Sequence, residues 1–192
     1  MSDFSNSKTK FNSRFTTQRL CTDAVLIALV VIFDLISIKI GNDIKITFGG
    51  LPIILCTLLY GIADGAIVGM AGAFIGQLFT YGLTATTVLW IIPSGVRALV
   101  IGLLFIAFKK STNPVTLTLC MIISSIAVTL VNTGVIYADS LVYHYPHGIV
   151  LITTVFRFIS GIVSAIVYSA IICPILYAVK KYVKNDRLNA GA

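Results

Sequence analysis

The sequence of 192 residues contains no glutamate, and its seven acidic residues are all aspartates. That absence excludes His-Glu-x-x-His zinc proteases, whose general base is a glutamate, and proteases built on paired intramembrane glutamates. No Gly-x-Ser-x-Gly elbow is present to expose a serine nucleophile. No glycine-rich loop ending in Gly-Lys-Ser/Thr is present to cradle nucleotide phosphates, so the chain has no ATPase of its own. Charge is scarce as well: 11% of residues are charged, against roughly 25% in soluble domains. Cys21, Cys56, Cys120 and Cys173 are scattered in apolar segments without metal-site spacing, and read as buried small hydrophobes. His144 and His147 share one loop but lack a third metal ligand. No linker, low-complexity tract or repeat divides the chain, and its polar beginning lacks the short apolar core of a signal peptide.

What is present is hydrophobic: 57% of residues, gathered into long runs. These runs predict an all-α membrane protein, a compact bundle of six transmembrane helices. The expected spans are 20–38, 51–61, 63–79, 87–108, 115–137 and 149–182. The second is too short to cross alone unless the polar loop before it, 40–50, dips inward. The sixth is longer than a bilayer requires, which predicts a kink or tilt near Pro174. Residues 1–19 and 183–192 are expected as tails around one domain, 20–182. Lys8, Lys10, Arg14 and Arg19 precede the first span, Lys109 and Lys110 follow the fourth, and Lys180, Lys181, Lys184 and Arg187 close the chain. Six spans place all three basic clusters on one side, which the positive-inside rule reads as cytoplasmic, with both termini there. The basic clusters hug the spans, which argues against nucleic acid as their partner.

Small residues mark close helix contacts. Gly61, Gly65 and Gly69 recur at four-residue spacing, with Gly72 and Gly76 on another face. Ala24 and Ala28 make a flat strip on the first span, suited to another helix or to ordinary internal packing. Gly49-Gly50 before Pro52 suggests unusual backbone angles at the start of a helix. Asp64 reads as a cap or dipole partner at a helix start.

The stretch from Tyr81 to Leu99 carries the chemistry. A Thr-rich loop leads into an apolar helix bearing Trp90 and then Arg97, an arginine costing roughly 2.5–3.5 kcal/mol to insert mid-membrane. At about 1.5 Å per residue, Arg97 lies about 15 Å into its span and Arg157 about 12 Å. Asn132 and Asp34 lie about 8 Å and 6 Å from the outer ends of theirs. A polar set at similar depth on four helices describes a solute pocket better than a through-pore. Arginine grips carboxylates, asparagine both donates and accepts, and Trp90 forms an apolar wall. Two readings stand for each: Arg97 or Arg157 as a ligand anchor or as Asp34's ion-pair partner, and Asn132 as a ligand contact or a helix bridge. A stand-alone ion-driven carrier with Asp34 as relay is a further reading, and a membrane enzyme is disfavoured by the missing motifs.

The six short spans, Ala24-xxx-Ala28, the Lys45-Ile-Thr-Phe-Gly-Gly-Leu-Pro52 lead-in and the glycine-rich 61–76 hairpin together resemble the substrate-binding S components of energy-coupling factor (ECF) vitamin transporters. Within that family the chain resembles the folate/pantothenate group. Its Gly72-Ala-Phe-Ile-Gly76 and Tyr81-Gly-Leu-Thr-Ala-Thr-Thr-Val-Leu-Trp90 depart from the folate-type pattern, which favours pantothenate. The resemblance implies a bacterial cell-membrane importer subunit that binds no cofactor. Its expected partners are a membrane scaffold and two cytoplasmic ATPases, which use the ATP. It implies scaffold docking through Ala24 and Ala28 and loops 39–50 and 81–87 closing over the ligand, while the expected substrate contacts, Trp90, Arg97, Asn132, Arg157, Tyr81 and Asp34, rest on the chemistry and depth of the residues themselves.

Overall fold

The computed structural model describes residues 17–36, 38–40, 44–109, 113–144 and 147–189, with side chains for 17, 19–36, 47–109, 113–144 and 154–178. The basic residues Lys8, Lys10 and Arg14, and the end of the expected tail at 190–192, lie outside the described residues. So do the side chains of His147, Lys180, Lys181, Lys184 and Arg187.

Long apolar runs bounded by Gly, Pro and polar turns produce six helices among the described residues: α1 (Thr17–Leu35), α2 (Gly50–Leu59), α3 (Ile62–Tyr81), α4 (Thr87–Ala107), α5 (Pro114–Tyr143) and α6 (His147–Asn189). Four stretches, Ile62–Tyr81, Thr87–Ala107, Pro114–Tyr143 and Thr154–Ala178, are long and apolar enough to cross a membrane. α1 has 19 residues but carries Arg19, Asp23 and Asp34. Pro114 opens α5, where its missing N–H costs nothing. α6 runs unbroken through Pro174.

Two stretches expected as loops are regular. Ile38–Ile40 (β1) and Ile44–Ile46 (β2) pair antiparallel, Ile38 opposite Ile46 and Ile40 opposite Ile44. The repeated Ile-Lys-Ile carries the β-branched alternation that suits paired strands. In addition, α5 continues six residues past the expected 137, so Asp139 is helical and buried rather than part of an outer loop.

α2 resolves the problem of the short second span. Its ten residues cover about 15 Å, half of a hydrocarbon core. The lead-in supplies the rest by entering the bundle. The Tyr168 hydroxyl, in the middle of the apolar part of α6, donates to the Thr47 carbonyl at 2.5 Å. A Cβ added at Gly50 would collide with the Arg97 guanidinium and the Tyr168 ring, and one at Gly49 with the Asp34 carboxylate. Gly49 has helical angles, φ −58° and ψ −20°. These glycines are therefore explained by space and not by the unusual backbone angles expected for them.

α2 joins two apolar clusters. Ile54 packs with Ile101, Leu117, Met121, Ala165, Tyr168, Ile172 and Leu176, and Ile53 and Cys56 with Leu26, Val30, Val68 and Ala98. The glycines of α3 bring its neighbours close: a Cβ at Gly65 would meet Thr57, one at Gly69 the Ser94 carbonyl, and one at Gly72 Val30. At the end of the bundle where α1 begins, Arg19 forms an ion pair with Asp64 and donates to the Tyr60 carbonyl at 3.1 Å. Asp64 thus pairs with α1 from the first turn of α3, where its charge also suits the helix dipole as expected.

Candidate ligand-binding cavity

A cavity of about 700 Å³ opens among α1, α3, α4, α5 and α6, with the lead-in to α2 on one wall. This lies within the roughly 300–1,000 Å³ typical of small-molecule sites. Helical periodicity builds it. α3 contributes Ala73, Gly76, Gln77 and Thr80, and α4 contributes Trp90, Pro93, Ser94 and Arg97. α5 contributes Ser125, Val128, Thr129, Asn132, Asp139 and Tyr143, and α6 contributes Arg157, Ser160, Gly161, Ser164 and Tyr168. Three- and four-residue steps place each set on one face of its helix. Pro93 also has no N–H to offer the Leu89 carbonyl.

All six residues singled out in the sequence as substrate contacts line this one cavity: Asp34, Tyr81, Trp90, Arg97, Asn132 and Arg157. Their surroundings differ. Arg97 lies over the Tyr168 ring, its guanidinium carbon 5.7 Å from the centroid, and Arg157 lies over Trp90 at the same distance. Both separations are within cation–π reach. Asp34 places its carboxylate against Gly49, just ahead of α2, where helix N–H groups lack intrahelical acceptors and favour negative charge. Tyr81 sits at the rim, 67% exposed, ahead of Gly82 at φ 72°. The 82–87 turn is tied by the Thr84 N–H donating to the Thr87 hydroxyl at 2.9 Å.

Two further polar liners were not singled out in the sequence. Gln77 belongs to the face Ala73-Gly76-Gln77-Thr80, a polar strip visible at helical spacing in a glycine-rich span. Asp139 lies beyond the expected end of the fifth span at 137, on the last turns of α5. His144 caps α5 in a left-handed conformation, φ 55°, and is exposed and outside the cavity lining. Ala24 and Ala28 lie exposed on α1 beside Val25 and do not line the cavity.

Several lining hydroxyls are already satisfied. Thr80 donates to the Gly76 carbonyl at 2.9 Å, Ser125 to Gly161 at 2.7 Å, Thr129 to Ser125 at 2.8 Å, and Ser160 to Arg157 at 3.1 Å. Gln77, Arg97, Asn132 and Arg157, by contrast, make no side-chain hydrogen bond among the described residues. These are strong donors in a cavity wall, so a guest with matching acceptors would recover bonds that the empty protein lacks. The described lining carries two arginines and two aspartates and is formally neutral.

The cavity is closed towards the other end. About one turn past Arg97, Tyr168 and Gly50 on the same helices stand Ile101, Ile172 and Ile54, which are 2%, 1% and 1% exposed. A blind, polar, membrane-embedded cavity of this size defines a solute-binding membrane protein.

Comparison with known proteins narrows that class. The family described as ECF-type riboflavin transporter, S component, matches residues 14–181, and the chain belongs to this family. Among solved structures, the S component of a bacterial ECF transporter is similar with a TM-score of 0.63 at 20% identity, covering 88% of this chain and 98% of its own. ThiT from Listeria monocytogenes is similar with a TM-score of 0.63 at 15% identity, covering 85% and 97%. These two likenesses show a shared fold. No curated protein matches the sequence. The chain is thus a component of a vitamin transporter, and its expected assignment to the ECF S components holds.

Proposed function

We propose that this chain captures riboflavin, or a close flavin relative, in the cavity, and delivers it through a shared ECF module. The observation that carries the reading is the blind cavity whose Gln77, Arg97, Asn132 and Arg157 are unbonded among the described residues while the charges of its described lining balance. A neutral, flat ring bearing carbonyls and a polyhydroxylated chain suits such a lining. Trp90 and Arg157 would cover the ring, Asn132 and Gln77 would bond its polar edge, and the hydroxyl-rich wall would meet the chain. Pantothenate, favoured by the lead-in to the fourth span, is an anion, and a site with two arginines offset by two aspartates offers it little net attraction. The family description supports flavin over pantothenate and folate.

In this reading the ligand enters from the outside, at the end of the bundle bearing the 82–87 turn, and both termini face the cytoplasm. Exposed Ala24 and Ala28 on α1 dock against a membrane scaffold, and two cytoplasmic ATPases drive release. The chain binds no cofactor, since its partners consume the ATP.

The test is mass spectrometry of the small molecule that co-purifies with the protein. A flavin mass supports the reading, and a pantothenate or folate mass overturns the choice of ligand. Arg97→Ala and Asn132→Ala are each expected to abolish binding of that molecule without lowering the folded fraction. Normal binding by both variants would show that the ligand sits elsewhere.

A further inference from the structure

Asp139 is a buried carboxylate with no evident use in the fold. It is 8% exposed, one turn before the end of α5, and lines the cavity. Its Oδ1 is fully buried and accepts no hydrogen bond from any described residue. Arg157 lines the same cavity, yet the two form no ion pair, the Arg157 guanidinium lying over Trp90 instead. Native proteins leave few buried polar atoms unpaired, because desolvation without a partner opposes folding. On the same face of α5, Ser125 and Thr129 bond to backbone carbonyls, while Asn132, like Asp139, is left without a bond among the described residues.

A carboxylate accepts hydrogen bonds and donates none. We propose that Asp139 is a specificity-determining residue whose carboxylate accepts a hydrogen bond from an N–H or O–H group of the bound vitamin. This inference rests on the vitamin-binding reading of the cavity. It adds an acceptor-only group, near the end of α5, to a lining whose unbonded side chains Gln77, Arg97, Asn132 and Arg157 all carry N–H donors. A ligand that sets an acceptor against Asp139 leaves its Oδ1 unmet. A flavin meets the requirement through its ring imide N–H or its ribityl hydroxyls.

Two measurements on the purified full chain test this. The first is thermal unfolding of ligand-free Asp139→Leu. A residue kept for the ligand leaves the midpoint unchanged or raises it, because an unpaired buried oxygen has been replaced by an apolar group of similar size. A lowered midpoint assigns Asp139 to the fold and overturns the proposal, whatever the ligand proves to be. The second is titration of wild type and Asp139→Leu with riboflavin, 3-methylriboflavin, which lacks the imide N–H, and lumiflavin, which lacks the ribityl hydroxyls. The substitution is expected to weaken riboflavin about tenfold to a hundredfold, the factor for losing a hydrogen bond to a charged group. It should cost nothing for the analogue that lacks the donor. An equal loss for all three ligands, or no loss for riboflavin, overturns the proposal. Failure of the wild type to bind any flavin overturns the flavin reading instead, and Asp139 is then judged on the unfolding midpoint.

Discussion

Arg97 is placed by an aromatic ring and a glycine. Its guanidinium packs where a side chain on Gly50 would stand and lies over Tyr168, whose hydroxyl is held by the Thr47 carbonyl. A cation–π contact of this kind is worth about 0.5–2 kcal/mol and leaves the N–H groups available to a guest. Gly50→Ala should therefore disturb the site through its wall. The added methyl must displace Arg97 or Tyr168, which costs about 1–3 kcal/mol by overpacking. Thermal unfolding should show the lower stability, and ligand titration a weaker site. Unchanged affinity would mean that Arg97's position does not matter to the ligand. Asp34, Trp90, Arg97, Asn132 and Arg157 were legible because a charge, amide or indole in an apolar run has few uses, and Tyr81 because it opens the Thr-rich loop before them. Gln77 was hidden by the glycines around it. Asp139 was hidden because helix ends beyond the apolar run carry no hydropathy signal.

At the scale of elements, glycine spacing on α3 was readable as close packing, and the structure supplies the partners. Gly72 faces Val30 of α1, itself 1% exposed. Gly72→Ala should destabilise the protein by about 1–3 kcal/mol, and Val30→Ala in the same chain should recover part of that loss by making room. Unfolding midpoints of the two single variants and the double variant measure this, and purely additive losses would contradict the contact. The hairpin and the inward course of the lead-in were less legible. Their cause is long-range: Thr47 meets Tyr168, 121 residues away, and Gly49 and Gly50 make room for Asp34 and Arg97. A sequence shows the glycines but not which side chain fills the space beside them.

For the molecule as a whole, the binding cavity and the proposed docking strip use different surfaces. The cavity lies among α1, α3, α4, α5 and α6, while Ala24 and Ala28 point away from it on an exposed face of α1. Ala24→Trp combined with Ala28→Trp should leave vitamin binding unchanged and abolish uptake in cells that supply the ECF module. Loss of binding by the purified variant would instead show that the strip serves the fold. Six spans followed from hydropathy, because lipid requires long unbroken apolar helices, while α5 and α6 run six and seven residues past their expected ends. The ligand did not follow, because several vitamins suit arginine, asparagine and tryptophan.

The most direct measurement is titration of the purified chain with riboflavin in the absence of ATP and partner subunits. Trp90 is the single tryptophan and lines the cavity, so its fluorescence and that of the flavin report the same event. The account predicts saturable, one-to-one quenching that excess pantothenate or folate does not reverse. Saturable binding of pantothenate with none of riboflavin, or no vitamin binding without ATP, would contradict it.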